Sequence, residues 1–197
     1  MTEIYFVRHA QPDLNIKDNF IRPLTDAGVK DAHDMFLFLK NITFDYFYSS
    51  TYKRSYQTIE ELANYNNKSI IKIENLKERV YGNRDIPIDE YFQKQWNDFN
   101  FKCANGESLN DVIKRNTSVI NDLLVKHEDK KILIGYHGTN LCALLSHYTK
   151  SFFYEDFLKI KPLLPIVIKM TFDKDKFIDY EIIYSVYRDY LDSEKLA

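Results

Sequence analysis

Five side chains in this sequence have the chemistry needed to act on a phosphorylated ligand. They come from four separate segments and are Arg8, His9, Arg54, Glu78 and His137. Arginine offers a planar fork of N–H donors that fits a tetrahedral anion such as phosphate. A neutral histidine nitrogen can attack phosphorus as a covalent nucleophile, and a carboxylic acid can protonate the departing oxygen. The set therefore predicts phosphoryl transfer from a phosphomonoester.

Each of these segments follows a predicted β-strand. Apolar runs at 4–7, 45–48, 69–73 and 131–136 predict four strands. Ligands of open α/β sheets bind at the carboxyl ends of the strands. Taken singly, each residue has an ordinary explanation, such as an ion pair of Glu78 with the neighbouring Arg79. Independent surface residues are not expected to collect at strand ends, so we expect these side chains to meet at one edge of the sheet.

Helical patterns alternate with the strands. Apolar periodicity predicts helices over residues 25–39, with Thr25 as N-cap, and over 52–65, 88–99, 108–124 and 140–148. Two further apolar runs, 165–172 and 177–185, predict a pair of strands joined by a turn at 173–176. This order predicts an α/β fold: a three-layer sandwich with a mostly parallel sheet, one antiparallel edge strand and helices on both faces.

Length and composition fit a single domain over residues 1–197. The chain is 45% hydrophobic and 15% aromatic, and no repeat or linker divides it. A net charge of −2 argues against a dedicated nucleic-acid binder. No apolar stretch approaches the ~18 residues of a membrane span, and the N-terminus lacks a signal-peptide pattern. We expect a cytoplasmic protein with a small phosphorylated substrate and neither nucleic acid nor membrane as partner; the oligomeric state stays open.

The proposed chemistry needs no metal or cofactor, because the cationic side chains neutralise the phosphoryl charge. The sequence lacks the clustered carboxylates and histidines of a two-metal site. Its two cysteines, Cys103 and Cys142, lie 39 positions apart and have no zinc-binding spacing, so a reduced pair is expected. We therefore expect the site to contain no metal.

Six motifs in order resemble branch 1 of the histidine phosphatase superfamily, which includes the cofactor-dependent phosphoglycerate mutases. The matching segments are FVRHAQ at 6–11, PLTDAG at 23–28, SSTYKRSYQT at 49–58, LKERVYG at 76–82, GES at 106–108 and YHGT at 136–139. The Arg-His pair alone is a weak signal, whereas six ordered blocks across about residues 4–185 are specific. The resemblance implies a phosphatase or mutase that forms a phosphohistidine.

The resemblance implies a role for each of the five residues. His9 would be the phosphorylated nucleophile and Glu78 the proton donor. Arg8, Arg54 and His137 would bind the phosphoryl group and complete the catalytic set.

Four further positions acquire roles from the same resemblance. Asn15 matches an asparagine that contacts phosphate in the mutases, although a plain turn residue is an equal alternative. Gly138 would let the backbone approach the phosphate at a helix N-terminus. Gln11 and Glu107 are candidates for the rim of the site.

The sequence departs from the family pattern in three places. Ala10 replaces the glycine after the nucleophile, and Thr51 replaces a proline. After Gly82 the chain reads Asn-Arg-Asp-Ile-Pro, in place of the acidic residue and glycine that are common there in the family. Residues at about 79–107 correspond to the variable insertion that selects substrate in the family. Its aromatic part, 88–101, is interpreted first as a packed helix and alternatively as a wall facing the substrate.

Three alternative functions remain at this stage. The chain lacks the extra length typical of glycolytic mutases, which favours a phosphatase over a mutase. A phosphate-binding or interaction module without turnover is also open, because fold does not imply activity. Asp173 and Asp175 resemble the motif of aspartate-nucleophile phosphatases, but they are better explained by a hairpin turn. The substrate itself is not specified.

Overall fold

A mixed sheet forms the centre of the protein. The computed structural model describes residues 1–188, and within them six strands lie in the order β3-β2-β4-β1-β5-β6. The strands are β1 (Thr2–Arg8), β2 (Tyr46–Ser49), β3 (Ile70–Lys72), β4 (Lys131–Tyr136), β5 (Leu163–Asp173) and β6 (Lys176–Tyr187). β1 and β2 pair in parallel with β4, and β3 pairs in parallel with β2. The carboxyl ends of these four strands therefore lie at one edge.

The remaining two strands form the antiparallel side of the sheet. β5 runs antiparallel to β1, and β6 returns antiparallel to β5. This arrangement confirms the predicted α/β sandwich. The β5–β6 turn contains Asp173 and Asp175, and Phe172 beside it pairs with Thr2 at the start of β1. Both aspartates thus lie at the end of the sheet opposite Arg8, which agrees with the hairpin interpretation.

Helices cover both faces of the sheet. They are α1 (Asp26–Leu39), α2 (Lys53–Tyr65), α3 (Ile88–Asn97), α4 (Leu109–Lys126), α5 (Gly138–Thr149) and α6 (Tyr154–Ile160), with a 3₁₀ turn at Glu74–Leu76. Thr25 caps α1 through its hydroxyl, as predicted, and Ser108 and Asp111 form a capping box on α4. α6 was not predicted, because seven residues give too short an apolar pattern. Among the described residues, none of the helices is long and apolar enough to cross a membrane.

Alternation along β1 divides the core into two layers. Ile4 and Phe6 pack with α4 and α5 on one face, whereas Tyr5 and Val7 pack with α1 and α2 on the other. This period of two is expected for a strand that is covered on both faces. Because both faces of β1 are buried, its carboxyl end is held rigidly where Arg8 and His9 leave the sheet.

The aromatic segment at 88–101 is part of the packing. Tyr91, Phe92 and Trp96 are buried, and the Trp96 ring stacks on Phe157 of α6 at 5.3 Å between centroids. The packed-helix interpretation is therefore confirmed. Phe92 also lines the cavity described below, so this one residue both packs in the core and faces the space where a substrate would bind.

Candidate active site

A cavity of about 370 Å³ opens beyond the carboxyl ends of β1 and β4. Its lining includes Arg8, His9, Arg54, Glu78 and Gly138. His137 lies directly behind it, with its ring 5.3 Å from that of His9. The structure thus brings together all five residues of the set predicted from the strand ends. The geometry of each one determines what the cavity can do.

His9 is held in one tautomer and one orientation. Its Nδ1 lies 2.8 Å from the carbonyl oxygen of Ala10, and its Nε2 lies 3.1 Å from Nε of Arg54. A carbonyl can only accept, so Nδ1 carries the proton. Arg54 can only donate, so Nε2 is the lone-pair nitrogen. The imidazole therefore presents Nε2 as its nucleophilic atom.

The surroundings of His9 keep it neutral. Burial lowers its pKa well below the ordinary value, and the positive charges of Arg54 and Arg8 lower it further. The bond to Ala10 opposes this shift only in part. A neutral imidazole is the form that can attack phosphorus. The cations that attract an anionic ligand therefore also keep His9 in its nucleophilic, unprotonated form.

The two arginines are fixed by backbone carbonyls. Arg54 follows β2 at the start of α2, is almost fully buried, and donates through Nη1 to the carbonyl of Asn19 at 2.9 Å. Arg8 ends β1 and donates through Nη1 to three carbonyls where α6 leads into β5, those of Ile160, Lys161 and Leu163, the shortest of these bonds being 2.8 Å to Lys161. Both guanidinium groups are therefore ordered before any ligand binds.

Gly138 is required by the approach of Arg8. A Cβ at this position would lie 2.7 Å from Nε of Arg8 and 2.8 Å from its Cζ. The absence of a side chain thus lets the guanidinium lie against the first residue of α5. The helix N-terminus and Arg8 together make this part of the cavity favourable for an anion.

His137 is buried and lies between β4 and α5. Its Nε2 lies 2.7 Å from the hydroxyl of Ser50, which follows β2. Burial lowers the pKa of His137 well below its usual value, and Arg54 and His9 add to the effect. Among residues 1–188, no group forms a hydrogen bond with its Nδ1. A hydroxyl that donates to Nε2 leaves Nδ1 as a donor for a ligand oxygen.

Glu78 is positioned by backbone N–H groups. One carboxylate oxygen accepts from the amide of Arg79 at 2.8 Å, and the other accepts from the amide of Thr139 at 3.2 Å. Asn140 holds the preceding chain by donating to the carbonyls of Leu76 and Lys77. The acid loop is thereby fastened to the start of α5, next to Gly138.

Besides His137, which lies behind the cavity, three of the predicted residues do not line it. Asn15 is exposed and donates to Asp13 at 2.9 Å. Gln11 accepts from the Thr25 hydroxyl and so braces the start of α1. Glu107 forms a two-point ion pair with Arg115 and also accepts from the amide of Val80, so it supports the acid loop instead of the rim. A phosphate contact by Asn15 stays a prediction.

Sequence reasoning missed three cationic residues that line the cavity: Arg22, Arg79 and Lys161. In the sequence Arg79 stands beside Glu78, where an ordinary ion pair explains it. In the structure its guanidinium donates to Gln95, and only its backbone amide contacts the Glu78 carboxylate. Arg22 and Lys161 lie in connecting segments whose course the apolar pattern does not predict.

No group of three or more His, Cys, Asp or Glu side chains within residues 1–188 is arranged to hold a metal ion. The cavity lining contains one carboxylate, Glu78, among these residues. The donor set is instead rich in cations, which attract phosphate directly.

Comparison with known proteins identifies the family of the chain. The family model of the histidine phosphatase superfamily (branch 1) matches residues 4–178. The chain belongs to this superfamily. An uncharacterized phosphatase, PhoE, of Bacillus subtilis is 26% identical over 151 residues, which are 74% of this chain and 77% of that protein. A phosphoglycerate mutase of Schizosaccharomyces pombe is also 26% identical and covers 91% of this chain and 95% of its own length.

A solved structure shows the same fold. A mutant of the phosphoserine phosphatase of Entamoeba histolytica, solved in complex with phosphoserine, aligns with a TM-score of 0.74 at 20% identity. The alignment covers 97% of this chain and all of that one. The family match establishes membership of the superfamily, and the structural alignment agrees with the α/β sandwich.

The two buried histidines predict a loss of stability in mild acid. The folded pKa of His9 and of His137 is lowered, so only the unfolded chain takes up their protons as the pH falls below about 6.5. We expect these two histidines together to lower the free energy of unfolding by up to about 2.7 kcal/mol per pH unit there. Urea denaturation between pH 5 and 7.5 measures this slope.

The control for this measurement is the double variant His9→Gln/His137→Gln. Its slope should be shallower than that of the wild type, although His127 and His147, whose pKa values are also lowered, retain part of it in both proteins. Equal slopes in the two proteins would contradict the neutral, buried state assigned to His9 and His137.

Proposed function

We propose that this member of the histidine phosphatase superfamily is a metal-independent phosphomonoester hydrolase that acts on a small phosphorylated metabolite through a phosphohistidine. The observation that carries the proposal is the orientation of His9. Its protonated Nδ1 is tied to Ala10, and its lone-pair Nε2 faces the cation Arg54. A hydrolase or a mutase that forms a phosphohistidine uses a neutral imidazole fixed in this way beside two arginines, whereas a binding module or an aspartate-nucleophile phosphatase does not.

In the first step, Nε2 of His9 attacks phosphorus and the bond to the leaving oxygen breaks. A bound phosphoryl oxygen takes over the Nε–H donor of Arg54, which releases the Nε2 lone pair. Arg8, Arg54 and Nδ1–H of His137 stabilise the charge on the equatorial oxygens. Glu78, in its protonated form, gives its proton to the leaving oxygen, and the alcohol departs.

In the second step, water attacks phosphorus and the P–N bond breaks. Glu78, now a carboxylate, accepts a proton from that water as the new P–O bond forms. His9 regains its Nε2 lone pair, and inorganic phosphate leaves. The same acid loop thus serves both steps, and side-chain cations supply the neutralisation for which other phosphatases use metal ions.

Hydrolysis of p-nitrophenyl phosphate by the purified protein tests the proposal. We expect turnover that persists in EDTA, and one ¹⁸O atom in each released phosphate when the reaction runs in H₂¹⁸O. Transfer of the phosphoryl group to a second hydroxyl of 3-phosphoglycerate, without release of phosphate, would instead identify a mutase. No release from a broad phosphoester panel across pH ~5–8 would favour a binding module.

A further inference from the structure

Arg22 belongs to a loop that borders the cavity and lies outside the helices and strands. This Arg22 loop, residues 16–22, lies between β1 and α1, and its residues before Arg22 are exposed. We propose that Arg22 is a positioning residue that closes the loop into a clamp and thereby holds Arg54 in the orientation needed for phosphoryl transfer. The inference rests on the proposed function, since it takes Arg54 to bind the phosphoryl group.

The guanidinium of Arg22 is bound to its own loop at three points. Nε donates to the carbonyl of Ile16 at 2.7 Å, and Nη2 donates to that of Lys17 at 2.9 Å. Nη1 donates to the side-chain oxygen of Asn19 at 3.0 Å. A planar fork holds several acceptors in one fixed geometry. These bonds therefore restrict a segment whose order would otherwise cost conformational entropy.

The backbone of the Arg22 loop contacts the first residues of α2. The carbonyl of Asn19 accepts from Nη1 of Arg54 at 2.9 Å. The carbonyl of Phe20 accepts from the amide of Lys53, the first residue of α2, at 3.0 Å. The first amides of a helix have no acceptor within the helix, so the loop satisfies one of them. The conformation of the loop thus affects both the start of α2 and the direction of Arg54.

Two aromatic rings connect the same loop to Arg54. The Phe20 ring packs edge to face against Tyr52 with 6.5 Å between centroids, and the Tyr52 ring lies 4.9 Å from Cζ of Arg54. Arg54 is 4% exposed, and its Nε lies 3.1 Å from Nε2 of His9. A buried donor that loses its acceptor is costly, so release of Asn19 would favour a turn of the guanidinium. That turn would move Arg54 away from both the nucleophile and the phosphoryl oxygens.

Direct contact with the substrate is the alternative role for Arg22, because this residue also lines the cavity. Its charge also adds to the lowering of the His9 pKa that burial causes. Both of these effects need only a positive charge, whereas the clamp needs a fork that reaches three acceptors. The three bonds to the loop favour the clamp, and Arg22→Lys distinguishes the two roles.

Steady-state hydrolysis of p-nitrophenyl phosphate by Arg22→Gln and Arg22→Lys tests the clamp. We expect kcat to fall about 10–100-fold in both variants, with KM changed by less than about threefold, because a misplaced donor weakens the transition state most. Lys17→Gln is the matched control. It removes a charge from the same loop, but Arg22 binds the backbone carbonyl of Lys17, so this exposed side chain should be replaceable without loss of kcat.

A double-mutant cycle determines whether Arg22 acts through Arg54. Arg54→Lys removes the guanidinium that the Asn19 carbonyl holds. We therefore expect Arg22→Gln to lower kcat by less than about threefold in the Arg54→Lys background, since the contact that it supports is already lost. An equal fold-loss in the two backgrounds would overturn the proposal.

Hydrogen exchange followed by NMR detects the clamp without any activity. The amide of Lys53, which donates to Phe20, should exchange about tenfold or more faster in Arg22→Gln than in the wild type, whereas that of Leu133 in β4 should not change. Unchanged exchange at Lys53 would overturn the clamp. If Arg22→Gln does not fold, as judged by circular dichroism, Arg22→Lys carries both the kinetic and the exchange measurements.

Two kinetic results would also overturn the clamp. They are a kcat for Arg22→Lys within about twofold of the wild type, and a rise in KM with kcat unchanged, which would indicate direct contact with the substrate. Turnover by the wild type separates these results from the fate of the proposed function. A wild type without turnover contradicts the hydrolase, and exchange at Lys53 then decides the clamp. Turnover with unchanged exchange in the variant overturns the clamp alone.

Discussion

Replacing His9 by alanine is expected to reduce phosphatase turnover by at least about 10⁴-fold. The variant retains Arg8, Arg54 and His137, so phosphate can still bind, but no atom remains to form the P–N bond. Loss of a covalent nucleophile removes the reaction path itself, which is why this effect should exceed that of any binding residue. The measurement is kcat with p-nitrophenyl phosphate, together with phosphate affinity by calorimetry.

The control for His9→Ala is His33→Ala. His33 is half exposed on α1, pairs with Glu61 and lies outside the cavity lining. We expect it to keep near-native turnover. A His9→Ala protein that folds and retains about a tenth or more of the wild-type kcat would contradict the assignment of His9 as nucleophile.

Replacing Glu78 by glutamine is expected to produce a loss that depends on the leaving group. Glutamine keeps the shape of the side chain but cannot supply a proton. An alkyl phosphate releases a strongly basic alkoxide, so kcat/KM for this substrate should fall about 10²–10⁴-fold. An aryl phosphate such as p-nitrophenyl phosphate releases a stable phenolate and should lose far less. Because kcat/KM reports the first step, slow hydrolysis of the phosphohistidine does not obscure the comparison.

Glu74→Gln is the matched control for this experiment. Glu74 lies on the same connecting segment and pairs with Lys77, but it is exposed and outside the cavity lining. Its replacement should change kcat/KM little for both the alkyl and the aryl phosphate. An equal loss for alkyl and aryl phosphates in Glu78→Gln would count against the acid role and would indicate that Glu78 only supports the structure of the loop.

The central part of the site could be predicted from sequence because strand ends determine it. Arg8 and His9 leave β1, Arg54 follows β2, and His137 follows β4, and parallel pairing places these ends side by side. Glu78 is two residues beyond a 3₁₀ turn that itself follows β3. The continuous apolar runs of β1 and β4, which are buried on both faces, are a strong signal, so the positions of these residues depend little on loop conformation.

The part of the cavity that Arg79 and Lys161 line could not be predicted from the sequence, because it depends on packing between distant segments. Arg79 becomes a buried cation only when α3 places Tyr91, Phe92 and Gln95 around it. Lys161 reaches the cavity from the end of α6. This helix has seven residues, which are too few for its apolar periodicity to be recognised in the sequence.

Two loop residues show the same limit. Asn15 has the correct spacing from His9, yet local bonds to Asp13 keep it at the surface. Glu107 is engaged by Arg115, eight positions further along the chain, and this pairing depends on the course of the loop before α4.

Trapping of the covalent intermediate tests the central claim most directly. The protein would be mixed with a ³²P-labelled phosphomonoester, quenched within milliseconds in base, and digested for mass spectrometry. The account predicts up to one phosphoryl group per chain on His9, stable in base and labile in acid, that forms and decays no more slowly than kcat. A hydroxylamine-sensitive acyl phosphate, a label on any residue other than His9, or turnover with no covalent phosphoenzyme would contradict it.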